Sequence, residues 1–164
     1  RIKDTTMAFG DIASPDTSYL ALRGLRSMGS RLRQQQEVGL RVANWLVNRP
    51  QVKRFLYPAL PDDPGHTIWK RDFTGACSLF GVVLHTSDEV AVARMVDGYR
   101  YFKIGASWGG FESLVIPAYP AQLRTAVGWT ERGFVLRYHV GLEAPEDLLE
   151  DLEQGFERLR GDSQ

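Results

Sequence analysis

Residues 133–161, GFVLRYHVGLEAPEDLLEDLEQGFERLRG, change their hydrophobic period from two to 3.6 within one short stretch, and that change decides the fold. In the first part Phe134, Leu136 and Tyr138 alternate with Val135, Arg137 and His139, the signature of a strand with two different faces. Pro145 then opens a helix whose Leu148, Leu152, Phe156 and Leu159 form one stripe. Its acidic first turn, and Arg158 and Arg160 ahead of Gly161, suit the helix dipole. A strand followed at once by an amphipathic helix implies a sheet with helices packed on it.

The segments upstream extend this pattern. CSLFGVVLH at 77–85 reads as a strand, apolar enough to be covered on both faces, with ESLVIP at 112–117 and VKRFLY at 52–57 as further strands. Thr86 and Glu89 have capping-box spacing for a helix over roughly 87–98. Between the strands, PALPDDPGHTIWKRDFTG at 58–75 is dense in Pro, Gly and Asp and reads as an exposed loop. Before them lies a long helix, capped by Ser14 with Pro15 at its first position and stopped by Pro50. Its stripe is Leu25, Met28, Leu32, Val42 and Leu46, with Gln35 and Gly39 filling the register and a bend expected near Gly29. The order helix, strand, strand, helix, strand, strand, helix gives an α/β fold. Its small sheet should be mixed or antiparallel, because two consecutive strand pairs lack a helical crossover.

Residues 1–13 show neither period, and the chain begins at Arg1, so this segment reads as a cut end or linker and 14–164 as one domain. With 164 residues, 43% hydrophobic and 24% charged, the chain can bury one core. Lys plus Arg equals Asp plus Glu at 20 each, so no global field favours nucleic acid or an anionic membrane surface. No apolar run is long enough to span a bilayer and a cytoplasmic setting is expected. The lone cysteine, Cys77, reads as a packing residue of a buried strand. His66, His85 and His139 lack zinc-ligand spacing, and no P-loop, G-x-G-x-x-G or G-x-S-x-G occurs.

Two features remain unexplained by folding alone. Arg137 projects from the middle of an apolar strand, where a charge that cannot be shed needs an anion. One of the chain's own carboxylates, or the carboxylate of a substrate, would meet that need. In SWGGFESL, 107–114, the paired glycines mark close approach by another backbone, a second chain or a ligand. Trp108 reads either as a core aromatic or as a pocket wall, and Ser107 as a turn residue or a pocket residue.

The stretches DTSYLALRGLRSMGSRLRQQQE, GHTIWKRDFTG, SLFGVVL, SWGGFESL and LRYHVGLEAPEDLLEDLEQGF together resemble the C-terminal part of the fold-type I, pyridoxal 5′-phosphate-dependent enzymes of Cys/Met metabolism. Trp108, where the family usually has leucine, is similar to the cystathionine β-lyase branch. Ala106 departs from that branch, where tyrosine can stand. The resemblance implies that Arg137 clamps the substrate α-carboxylate and that Ser107 and Trp108 line the same pocket. It implies β-elimination of L-cystathionine to homocysteine, pyruvate and ammonia in a homo-oligomer. It also implies that the cofactor's lysine, phosphate loop, ring-stacking tyrosine and pyridine-nitrogen aspartate belong to a large N-terminal domain upstream. Lys3, Lys53, Lys70 and Lys103 do not have the surroundings of that lysine, so residues 1–164 alone should be inactive, with no catalytic residue of their own. The alternatives are a γ-lyase or γ-synthase of the same family, or a non-catalytic carboxylate-binding or oligomerisation domain.

Overall fold

In the computed structural model, residues 1–161 are described. The central strand is the one that bears Arg137. β5 (Val135–His139) lies in a five-stranded sheet of order β1-β2-β5-β4-β3, with β1 at Val52–Leu56, β2 at Leu79–Leu84, β3 at Lys103–Ile104 and β4 at Leu114–Ala118. The β1/β2, β2/β5 and β4/β5 pairs are antiparallel and β3/β4 is parallel, so the sheet is mixed, as expected. The helices are α1 (Ile2–Phe9), α2 (Pro15–Val47), α3 (His66–Asp72), α4 (Glu89–Asp97), α5 (Pro120–Leu123) and α6 (Pro145–Arg160).

The chain divides into two compact units, residues 1–33 and the remainder from Gln34 onward. In the first, α1 buries no side chain and ends at Gly10, whose φ of 66° is the left-handed conformation that glycine adopts without strain. In the early turns of α2, Ser14 Oγ accepts the Thr17 N–H at 3.2 Å, the expected cap, while Leu20, Leu25 and Met28 are exposed.

The second unit holds the core. Val38, Val42 and Leu46 of α2, Met95 of α4, and Leu148, Leu152 and Phe156 of α6 cluster with Phe80, Val82, Leu84, Val115, Leu136 and Tyr138 of the sheet. Each such side chain contributes roughly 1.5–3 kcal/mol by leaving water. Leu136 and Tyr138 face this core, so strand alternation turns Val135, Arg137 and His139 to the opposite face.

Two polar devices tie the helices to the sheet. Asp151 of α6, 3% exposed, accepts the backbone N–H groups of Arg100, Tyr101 and Phe102 at 2.8, 2.7 and 3.2 Å, which satisfies the turn into β3. The buried hydroxyls of Tyr99 and Tyr138 are 3.0 Å apart, and burial raises the pKa of both. Gly155 makes room for this pair, since a Cβ there would lie 2.9 Å from the Tyr99 hydroxyl. At the start of β5, Gly133 has a φ of 119° and a Cβ on it would strike the Leu84 carbonyl. The adjacent Phe134 donates to Thr86 O and accepts from Leu84 N–H, both at 2.8 Å, which pins the β2/β5 register.

Several expectations are corrected. Residues 2–9 are helical although they lack a sustained period, and α3 lies inside the stretch read as loop, where Asp63 organises the entry by accepting the N–H groups of Tyr57 and Gly65. The α4 cap is Asp88, which accepts the N–H groups of Val90 and Ala91 at 3.0 and 3.1 Å, while Thr86 Oγ accepts the Asp88 N–H. Strand β2 begins at Leu79, so Cys77 precedes it and is exposed rather than buried.

Candidate active site

The geometry starts from β5. Arg137 pairs across the sheet with Gly81 of β2 and Ile116 of β4, which sets the root of its side chain at the centre of the face away from the helical core. Its Nη2 donates to the carbonyl of Ala106 at 2.6 Å and lies 3.5 Å from that of Ser107. The guanidinium carbon stands 5.6 Å from the centre of the Trp108 ring, within cation–π range. Its Nε is buried and has no hydrogen-bond partner. Among the described residues no carboxylate forms an ion pair with Arg137, so the internal pairing allowed by the sequence is not made. The result is a cation steered by neutral carbonyls, with its charge unbalanced by any acid among the described residues.

Arg137 is therefore brought together with Ser107 and Trp108, which lie 30 and 29 positions earlier in the chain. Trp108 is 61% exposed, which rules out the core reading of its ring. Gly109 has a φ of 76° with nothing within 4 Å of a Cβ placed on it, so within this chain it serves the turn's conformation rather than close packing. The close backbone approach occurs at Gly141, where a Cβ would strike the Phe111 carbonyl and Leu142 donates to that same oxygen at 2.9 Å.

The turn is held by residues that sequence patterning did not single out for a role. Gln35 of α2, 2% exposed, donates through Nε2 to Gly110 O at 2.7 Å. His139, 2% exposed, receives the Gly109 N–H on Nε2 at 3.2 Å. Glu143 accepts both the N–H and the hydroxyl of Ser113 at 2.7 Å, and Ser113 Oγ accepts the Gly141 N–H at 2.9 Å. A polar residue inside the apolar α2 stripe was the available signal for Gln35, and the histidine beside Arg137 was the signal for His139. Burial is the main cause that pushes the His139 pKa below the ordinary 6.5, with Gly110 O and Glu143 acting upward and Arg137 downward.

Among the described residues no group of three or more His, Cys, Asp or Glu is placed to hold a metal ion, and no helix is long and apolar enough to cross a membrane. A strand-borne arginine without an acid partner among the described residues, beside an exposed indole on a glycine turn, has the donor chemistry to receive a small carboxylate.

Comparison with known proteins supplies the family. Residues 1–157 match the model of the Cys/Met metabolism PLP-dependent enzymes, and the chain belongs to that family. It is 43% identical over 163 residues to cystathionine beta-lyase of Salmonella typhimurium, covering 97% of this chain and 41% of that protein. It is also 40% identical over 145 residues to an L-alanine/L-glutamate racemase of Wolbachia pipientis, covering 86% of this chain and 36% of the relative. Among solved structures, cystathionine gamma synthase of Xanthomonas oryzae pv. oryzae in complex with cystathionine superposes with a TM-score of 0.78 at 35% identity, covering 90% of this chain and 39% of that one. The fold is therefore that of part of a fold-type I, pyridoxal 5′-phosphate-dependent enzyme, and the chain spans about two fifths of the length of these relatives.

Proposed function

We propose that this chain supplies the substrate-carboxylate side of the active site of a carbon–sulfur lyase that cleaves L-cystathionine by β-elimination. The observation that carries the reading is Arg137: a half-buried guanidinium with an unpartnered Nε and, among the described residues, no acid paired with it fits the carboxylate of an incoming amino acid. Trp108, aligned on that cation, closes one wall, and its indole N–H is a donor for the same carboxylate. Ser107 lies beside them. Residues 1–13 act as a linker and 14–164 as the C-terminal domain.

The described residues fit the carboxylate of the amino acid rather than the cofactor's aldehyde or phosphate. Lys53 is engaged by Glu131 at 3.4 Å and Arg132 O at 2.9 Å, and Lys3, Lys70 and Lys103 lie exposed. The groups that carry the cofactor are assigned to the part of the relatives' length that this chain does not span. Residues 1–164 by themselves are thus inactive, and the intact enzyme is a homo-oligomer. The chemistry that pyridoxal phosphate supplies when bound is an electron sink for the pair left at Cα when its proton is removed. Arg137 contributes by orientation: two N–H donors on one carboxylate fix its plane and the direction of its bond to Cα, so that a second anchor at the amino group leaves a single direction for the Cα–H bond. Loss of that proton and scission of the Cβ–S bond, followed by addition of water, yield homocysteine, pyruvate and ammonia.

Trp108 and the cystathionine beta-lyase relative favour β- over γ-chemistry. The intact enzyme given L-cystathionine should release pyruvate and homocysteine. Release of 2-oxobutyrate and cysteine, or racemisation of alanine without cleavage, overturns the β-lyase assignment. Arg137→Lys should raise KM sharply and also lower kcat, because a point charge replaces a rigid fork. Unchanged kinetics for that variant remove Arg137 from the site.

A further inference from the structure

The turn that carries Trp108 is held through one histidine whose hydrogen-bonding state can be read from its neighbours. Ser78 Oγ contacts Val140 O, and a carbonyl can only accept, so the serine proton is committed to that bond. The same Oγ lies 3.3 Å from His139 Nδ1 and must therefore accept, which places the imidazole proton on Nδ1. Nε2 is left with a free lone pair, and it receives the Gly109 N–H. On the other side of the turn Gln35 donates to Gly110 O. Two adjacent residues of the turn are thus gripped in opposite senses, Gly109 through its N–H and Gly110 through its carbonyl, by side chains that are each 2% exposed.

We propose that neutral His139 and Gln35 are positioning residues that together fix the 108–110 turn and so set where Trp108 stands over the carboxylate held by Arg137. The proposal rests on the reading of the carboxylate site given above. Protonation of Nε2 would turn the acceptor into a donor: the Gly109 N–H loses this acceptor, while the new proton faces Gly110 O at 3.5 Å. The groups around the ring are Ser78 from the segment before β2, Arg137 on β5 itself, Gly109 and Gly110 from the turn, and Glu143 beyond β5. Arg137 opposes a second positive charge there and Glu143 favours it, and burial acts with Arg137. The grip is therefore complete above the ordinary histidine value of 6.5 and weakens as pH falls below it, through the depressed value of the folded protein.

The test uses the intact enzyme with three variants. His139→Leu removes the acceptor, His139→Gln offers an amide oxygen near the Nε2 position, and Gln35→Met removes only the second grip. Amide hydrogen exchange, corrected for intrinsic rates, is followed on peptides covering 106–112 and 135–139, alongside KM and kcat. His139→Leu should speed exchange at 106–112 about tenfold, equivalent to ~1.4 kcal/mol, with 135–139 unchanged. KM should rise about as much, with a smaller change in kcat, and His139→Gln should recover most of both. Wild-type exchange at 106–112 should accelerate below pH 6.5, the variant's should not. If His139→Leu does not fold, Gln35→Met must still loosen 106–112 selectively. Unchanged exchange at 106–112, or acceleration spread equally over 135–139, overturns the proposal. Arg137→Lys separates the two readings: normal kinetics there condemns the carboxylate site, whereas the exchange data judge the grip independently.

Discussion

Replacing Arg137 with methionine separates a recognition role from a structural one, because the two predict opposite balances of stability and binding. Methionine keeps much of the length and apolar volume of the arginine stem. On the stability side it removes the Nη2 bond to Ala106 O, a charged-donor bond of roughly 1.5–3 kcal/mol. It also removes the buried, unpartnered Nε, a desolvation cost of about 1–3 kcal/mol. Ala106 is exposed, so its carbonyl is free to turn to water. The two contributions cancel, and the variant should match the wild type within ~1 kcal/mol in a urea midpoint measurement. A guanidinium whose charge was balanced by a buried internal acid would instead cost about 3–5 kcal/mol when removed. On the binding side, a carboxylate losing a bidentate, charge-assisted partner forfeits roughly 3 kcal/mol, or about 150-fold in affinity. Titrating the intact enzyme with a non-reactive amino acid and reading the cofactor's absorption supplies that number. A destabilisation above ~3 kcal/mol with affinity preserved would refute the reasoning on both counts.

Two further outcomes test the frame that supports the site. Gly155→Ala should destabilise by about 1–3 kcal/mol, although alanine is the better helix former, because the new Cβ would strike the Tyr99 ring within its buried hydroxyl pair; a neutral or stabilising effect in chemical denaturation contradicts the packing described. Asp151→Ala strips three backbone donors of their common acceptor and should cost about 3–5 kcal/mol, read as a lowered urea midpoint, with a loss under ~1 kcal/mol contradicting the role assigned to this carboxylate.

What the sequence disclosed and what it concealed follows from the range of the interactions concerned. The period-two run of β5 and the stripe of α6 are local, and both elements, together with the facing of Arg137, could be read from neighbouring residues. Elements α3, α5 and β3, of seven, four and two residues, are too short to display a period. Asp88 lies two residues after Thr86, and both can cap a helix, so only the turn's geometry selects between them. A helical stripe reports periodicity and not what covers it, and the early apolar positions of α2 are exposed within this chain. Trp108 and Arg137 stood out chemically, whereas Gln35 and His139 acquire meaning only when residues 75 and 30 positions away close on them. A contact of that separation shows in the local pattern only as a polar residue out of place, with nothing to name its partner.

Gly133 has a bearing on how this architecture can vary. Because its dihedral and the paired bonds between Phe134, Leu84 and Thr86 lock the entry to β5, the alignment of Arg137 beneath the indole is decided at the threshold of the strand and not by the path that leads to it. The connecting path, 119–132, is thereby released from any duty of measurement. Insertions and deletions there should be absorbed without turning the strand over, so that descendants of this fold can remodel that path while the arginine on β5 keeps its address.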